Sequence, residues 1–484
     1  MASPLIPLPR KALMFFLDTP GPVALDALRD LTPTPFWLDD PRRPGSTPTL
    51  HSDTSCGLLV IGGGFSGLWT ALLAKRENPS LDVVLVDAGR VADAASGRNG
   101  GFVSHSLTHG IRNGADRWPS ELDQLVRLGH QNLDDLGRDV ASLGIDCDFT
   151  IAGELVVAVQ DHQIEDLRDT AVLANAHGDT VHELSGEQIR ADVHSASYLF
   201  AIADPDVALV NPARLAWGLL DACQRAGVRV FENTPVLDLA DVGKRVMAAT
   251  ENASITARQV AIATNAFPPL LRKMAKYIVP VYDYVLVTEP LSDQQWDSIG
   301  WDKRQGMSDA GNQFHYYRPT ADGRILWGGY DAIYHRDSGV DPQFEVDHGA
   351  FGRLSEHFHQ TFPELEGIRF SHGWGGAIDT CSRFAPFWGR AHSGKTAFVA
   401  GYTGLGVGSS RFGARVMLDL LSGEKTELTE LAMVRSKPLP FPPEPFRSLG
   451  INWTTKSLHS ADLQEGRRNL WLRTLDRVGL GFDS

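Results

Sequence analysis

Glycines 62, 64 and 67 are spaced so that a backbone turn can approach a pyrophosphate closely. The turn Gly62-Gly63-Gly64-Phe65-Ser66-Gly67 follows the apolar run Leu58–Ile61. It opens a segment with Leu68, Ala71, Leu72 and Lys75 at helical spacing, closed by Pro79. Gly62 permits the tight turn, Gly64 admits the phosphate, and Gly67 lets the helix lie close on the strand. The helix start offers free N–H groups to the anion. A second apolar run, Val83–Val86, ends in Asp87, placed to accept the hydroxyls of an adenosine ribose slightly beyond the usual ~20 residues. Strand, turn, helix, strand and acid in this order predict a dinucleotide-binding βαβ unit. This segment alone does not separate NAD from FAD.

Two further glycine-rich stretches extend the pattern. Ala95-Ser96-Gly97-Arg98-Asn99-Gly100-Gly101 follows soon after Asp87, and Gly401-Tyr402-Thr403-Gly404-Leu405-Gly406 follows the strand-like Ala397–Ala400 and opens a helix. Backbone N–H groups at such a helix start can stabilise the negative charge that develops at N1 and O2 of a reduced flavin. Two distant glycine loops feeding one site fit a long cofactor with two ends. No Ser/His/Asp or metal-ligand constellation stands out, so no metal is expected and the reaction is left to the cofactor.

Substrate-side candidates are more diffuse. Phe314-His315-Tyr316-Tyr317-Arg318 alternates, so His315 and Tyr317 share one face and Phe314, Tyr316 and Arg318 the other. Tyr330, Trp374 and Tyr402 could form an aromatic box for an aliphatic or cationic amine. His105 and His109 follow the second glycine stretch. Arg383 could clamp a carboxylate, with a structural ion pair as its alternative.

The elements that must position these residues fall into an interleaved pattern. Residues 1–55 read as a Pro-containing extension that packs on the body, with an apolar piece at Val23–Leu31. Residues 56–110, 201–274 and 366–424 read as a discontinuous nucleotide-binding domain, and 111–200 with 275–365 as a substrate domain. Residues 425–484 read as a polar, Pro-rich tail. The fold class is α/β, a Rossmann-like domain interleaved with an α+β, antiparallel-sheet domain. With 484 residues, 43% hydrophobic and 21% charged, the chain can bury a large core. Its net charge of −14 argues against a nucleic-acid partner. No run is long enough to span a bilayer, and Leu13–Leu17 is too short for a secretion signal. Cys56, Cys147, Cys223 and Cys381 are scattered, as expected of reduced thiols in a cytoplasmic protein.

The chain resembles the D-amino-acid oxidase superfamily of flavoproteins, which includes glycine and sarcosine oxidases, and is most similar to its γ-glutamylputrescine-oxidase-like branch. The resemblance rests on Ile61–Gly67, Asp87 with Ala95–Gly101, Ala263-Thr264-Asn265-Ala266, and Trp374-Gly375-Gly376 leading to Gly401–Gly406. It implies FAD as cofactor, with Gly62, Gly64, Phe65, Ser66 and Gly67 at the pyrophosphate and Asp87 and Ala88 at the adenosine ribose. It likewise implies Ser96, Arg98, Asn99, Gly100 and Gly101 along the pyrophosphate, ribityl chain and ring edge. Val236 would meet the adenine through its backbone, Thr264 and Asn265 would complete the site, and Gly401, Tyr402, Thr403, Gly404, Leu405 and Gly406 would sit at the pyrimidine end. The implied reaction is oxidation of a C–N bond in a small amine or amino acid, giving an imine that hydrolyses, with oxygen as electron acceptor and hydrogen peroxide as product. Two departures bear on this. Where the sarcosine oxidase branch tethers its flavin through Cys, this chain has Gly375, so FAD is expected to be non-covalent. Where that branch carries a Lys for oxygen activation, Arg324–Gly329 has none, which keeps a dehydrogenase with another acceptor open. An NAD enzyme, or a nucleotide-binding protein without turnover, is the remaining alternative.

Overall fold

The structure is a computed structural model that describes residues 19–477, 479 and 480. The run at residues 13–17 and the first prolines lie outside the described residues. Two large sheets divide most of the chain, and Phe102–Val103, Ala208–Leu209 and Thr150–Ile151 form a small third one. In the first, strands Thr396–Ala400, Ser254–Ile262, Thr54–Ile61, Val83–Val86 and Arg229–Phe231 run parallel in that order. Three antiparallel strands, Val236–Asp241, Val246–Thr250 and Phe387–Ala391, complete eight. Thr54–Ile61 is central, and its inner residues Leu58–Ile61 are buried between two apolar clusters. Such a strand must be apolar on both faces, as the unbroken Leu-Leu-Val-Ile run predicts.

Helix Phe65–Glu77 follows directly, against the sheet and against helix Gly406–Ser422. Gly62 has φ +110, and a Cβ at Gly67 would lie 1.8 Å from the Gly62 carbonyl oxygen. These glycines therefore answer backbone geometry and close approach. The stripe Leu122, Leu125, Leu128 and Leu133 is buried along helix Leu122–Leu143.

The second sheet has nine strands. Its order is Ile333–Tyr334, Val279–Thr288, Ile325–Gly329, His315–Pro319, Gly306–Asp309, Glu154–Ala158, Phe200–Asp204 and His182–Ser185, with Phe370–Thr380 on the other edge of Val279–Thr288. A parallel pair, Gly306–Asp309 with Glu154–Ala158, joins its halves, and helix His348–Thr361 packs on it around an aromatic core. Residues 201–204 and 370–380, grouped by sequence with the nucleotide-binding domain, hydrogen-bond into this second sheet instead. The glycines of Trp374-Gly375-Gly376 are strand positions: Gly375 pairs with Tyr284, and a Cβ there would meet the tyrosine ring at 2.7 Å. The tail also departs from expectation, since it forms helices Phe446–Leu463 and Leu470–Arg477. Among the described residues no helix is long and apolar enough to cross a membrane.

Candidate active site

One cleft of about 1930 Å³ runs between the two sheets, well above the roughly 300–1,000 Å³ of a pocket for one small ligand. At one end it is lined by Gly62, Gly64, Phe65, Ser66, Asp87 and Ala88, with Val236 nearby. Gly67 supports the turn from behind. Each Asp87 oxygen accepts a backbone N–H, from Gly63 at 2.6 Å and Gly89 at 2.8 Å. Burial raises its pKa, opposed by those two hydrogen bonds. Ser96 Oγ accepts the Phe65 N–H at 2.9 Å, tying the second glycine stretch to the first. A Cβ on Gly64 would lie 2.9 Å from that oxygen.

The second stretch continues the wall through Ser96, Arg98, Asn99, Gly100 and Gly101. Asn99 holds its own turn, donating to the Ala95 and Ser96 carbonyls and accepting the Gly101 N–H. Two indoles fasten the loop: Trp37 donates to the Asn99 carbonyl at 2.9 Å and Trp374 to the Arg98 carbonyl at 2.8 Å. Arg98 pairs with Glu345 at 2.5 Å. The third stretch closes the far side. Asp379 accepts the Gly401 N–H at 2.6 Å and also faces the Tyr402 and Thr403 N–H groups; burial still pushes its pKa up to about 7. With its amide nitrogen turned toward Asp379, Asn265 donates at 2.9 and 3.0 Å. Thr264 and Asn265 line the cleft, as do Tyr402, Thr403, Gly404, Leu405 and Gly406. Gly404, at φ +93, has no heavy atom within 4 Å of where a Cβ would stand. The first N–H groups of helix Gly406–Ser422 are left over for a ligand. Three braced loops along one long cleft, with glycine wherever a side chain would intrude, fit a dinucleotide with a ring system at its second end.

The substrate-side candidates separate. His315 and Tyr317 point away from the cleft into the core. His315 bonds Asp309 at 2.8 Å and His357 at 3.0 Å, and the Tyr317 and Tyr198 hydroxyls meet at 2.8 Å. Alternation therefore gives the opposite face to the cleft, with Phe314 and Tyr316 lining it. Tyr330 lines the cleft. Trp374 and Tyr402 do so too, but each is bound to a glycine loop, Tyr402 through Ser66 Oγ at 2.8 Å. His109 lines the cleft beside Thr403, and burial lowers its pKa. His105 does not reach the cleft. It bonds Asp204 at 2.9 Å and stacks on His130 at 4.1 Å. Burial would lower its pKa, but Asp204, Asp179 and Asp206 outweigh this and raise it. The donor atoms of His105, His130 and Asp179 lie within 4.8 Å of one another, yet the stacked rings do not aim their in-plane lone pairs at one point. Arg383 is no carboxylate clamp. It is buried and donates to the carbonyls of Ala385, Pro386, Met433 and Ser436, which anchors the tail.

Two acids on the cleft wall were not singled out from sequence. Glu154 accepts from Ser308 Oγ at 2.8 Å, and desolvation, against that bond, raises it to about 7. Asp283 accepts from Tyr316 Oη at 2.6 Å and is raised to about 7 by the same cause. The signal for Asp283 was present, as an acid at the middle of the apolar strand Val279–Thr288 has to be explained. Glu154 begins its strand and reads as an edge residue.

The chain matches the model of a family described as FAD dependent oxidoreductase (DAO) over residues 58–420. It is 30% identical over 397 residues to a γ-glutamylputrescine oxidoreductase of Escherichia coli K12, covering 81% of this chain and 89% of that protein. It is 26% identical over 408 residues to a probable oxidoreductase, OrdL, of Haemophilus influenzae, with the same shares covered. Among solved structures, glycine oxidase from Geobacillus kaustophilus superposes with a TM-score of 0.67 at 19% identity, covering 79% of this chain and 99% of that one.

Proposed function

We propose that this chain, which belongs to the FAD dependent oxidoreductase family, oxidises the C–N bond of a small amine or amino acid, with oxygen as electron acceptor and hydrogen peroxide as product. The observation that carries the reading is Glu154, an acid on the wall of the same cleft that carries the three glycine loops. FAD, when bound, supplies the two-electron acceptor for the hydride that leaves the carbon next to nitrogen. The protein's part is to bind an ammonium group and strip it of its proton. A cation beside Glu154 favours its carboxylate. With one oxygen engaged by Ser308, the other is available to take the ammonium proton and leave the nitrogen lone pair that drives hydride loss. Tyr316, Tyr330 and Trp374 supply aromatic wall along the cleft.

Non-covalent cofactor binding belongs to the same proposal. Gly375 and Gly376 offer no thiol, and the Cys381 thiol is buried against the carbonyls of Ala385 and Gly401 at 3.2 and 3.5 Å. Four free, buried cysteines support a reducing, cytoplasmic setting. Anaerobic mixing with a panel of amines, followed by air, tests the reading: absorbance near ~450 nm should bleach and then recover with release of peroxide. Failure of every amine and amino acid to bleach it would sink the proposal. A second reading is supported by strand Ile325–Gly329, which carries no lysine for oxygen activation. Bleaching without recovery in air would assign a dehydrogenase.

A further inference from the structure

The family match ends at residue 420, yet the chain beyond it builds one wall of the same cleft. On helix Phe446–Leu463, Phe446, Leu449 and Trp453 fall at i, i+3 and i+7, so they share one face. All three line the cleft while remaining 66%, 63% and 60% exposed. Large apolar side chains gathered in this way mark a binding surface more than they mark chance. The indole of Trp453 stacks on that of Trp471 at 5.1 Å with 7° between planes, and Trp471 donates to Thr454 Oγ1 at 3.0 Å.

This face is held at a fixed place over the substrate sheet. Asp462 accepts from the Asn312 side chain at 2.5 Å and from the Gln313 N–H at 3.1 Å, and His459 bonds the Gln313 side chain at 2.8 Å. Gln313 in turn donates to the carbonyl of Tyr330, which lines the cleft. Tyr334 donates to Glu444 at 2.7 Å, Arg447 to Ser338 Oγ at 2.9 Å, and the Phe441 N–H to the Lys276 carbonyl at 2.7 Å. The cleft thus has an acidic wall on the sheet and an apolar wall on the tail, and Ile451 and Leu458 continue the apolar lining.

Resting on the reading of the cleft as a site of amine oxidation, we propose that the tail helix is its specificity wall. Trp453, Leu449 and Phe446 receive the apolar arm of an amine oxidised in this cleft, so the substrate is an aryl or long-chain alkyl amine rather than one the size of glycine.

The test uses holoenzyme titrated anaerobically with propylamine and with 3-phenylpropylamine, reading the perturbation of flavin absorbance and, separately, its bleaching. 3-Phenylpropylamine should bind about tenfold more tightly, and Trp453→Ala should remove about that factor for it while changing propylamine less than about twofold. Trp453→Phe should restore most of the difference, and Leu449→Asp should reproduce the loss without touching the indole stack. Equal affinity for the two amines, no perturbation by either, or unchanged binding of 3-phenylpropylamine in both variants overturns the proposal. Lys456 also lines the cleft, and a preference for 6-aminohexanoate that Lys456→Ala abolishes would assign a charged arm and overturn the proposal too. Dimerisation lost in Trp453→Ala, or cosedimentation with phosphatidylcholine–phosphatidylglycerol vesicles, would give the stripe to a second copy or a lipid surface and overturn it as well. An arm preference without bleaching by either amine would instead refute amine oxidation and leave the specificity wall standing. Bleaching by both without an arm preference does the reverse.

Discussion

Ser308, Asp204 and His105 together set the behaviour of Glu154. Ser308 donates to it, Asp204 lies opposite in the strand register, and the His105 imidazole bonded to Asp204 partly offsets the second negative charge. With desolvation dominant, Glu154 titrates near 7, whereas an alkylammonium keeps its proton to about 10. Amine affinity should therefore rise with pH through about 7, and Glu154→Gln should flatten that rise while weakening binding, as read from flavin-perturbation titrations across pH 5.5–8.5 (about that window). The sign for stability is opposite. A native value above the ordinary 4.5 means the folded state holds the proton longer, so this group costs stability as pH rises from about 4.5 to about 7. Glu154→Gln should melt at a higher temperature than wild type at pH 8. Loss of both effects would remove Glu154 from the site. Glycine and Asp87 were legible because their chemistry depends on near neighbours in sequence. Glu154 was not, because its environment comes from strands far apart in the chain.

Helix Phe65–Glu77 and its turn were readable nearly to the residue, since the turn, the apolar strand before it and the helix after it are local features. The close crossing at Gly67 sets the test at this scale. An alanine Cβ placed 1.8 Å from the Gly62 carbonyl oxygen must push the helix start off the turn, a strain of about 1–3 kcal/mol or more. Gly67→Ala should lower FAD affinity by about tenfold or more, measured by titrating apoprotein and by the flavin-to-protein ratio after purification. Full flavin content would show that the crossing tolerates a methyl. Helix Phe446–Leu463 escaped a sequence reading because prolines precede it, Gly450 interrupts it and few of its residues are buried. Its position comes from Asn312, Gln313, Ser338 and Tyr334, more than a hundred residues earlier. The strand Phe370–Thr380 was misplaced for a related reason: its glycines look like a loop until Tyr284 is set beside them.

Across the whole molecule, alternation of the chain between two large sheets was legible from the recurring β-α-β pattern, and it puts the glycine loops and the acidic wall on one cleft. The extension before the first strand packs on the body, as expected, and does so along a route that crosses the molecule. Gly21 and Ala24 bond Glu356 and Ser355, Thr32 pairs with Ser371 and Gly373, Trp37 holds Asn99, and Ser46 and Thr47 end on Glu232. Trp37→Ala removes a buried hydrogen bond worth about 1 kcal/mol along with the indole's packing, so FAD should dissociate about five- to tenfold faster in stopped-flow displacement. An unchanged rate would mean that the loop holds its shape unaided. The route of this segment also orders events during synthesis. Residues 21–47 leave the ribosome before their partners: Glu356, Ser371 and Gly373 come more than three hundred residues later, and strand Thr396–Ala400 must still join the first sheet. The glycine turn at 62–67 therefore leaves the ribosome more than three hundred residues before the strand and loop that close the far side of the cleft, so the cleft cannot take its final form until residues 396–406 have been made.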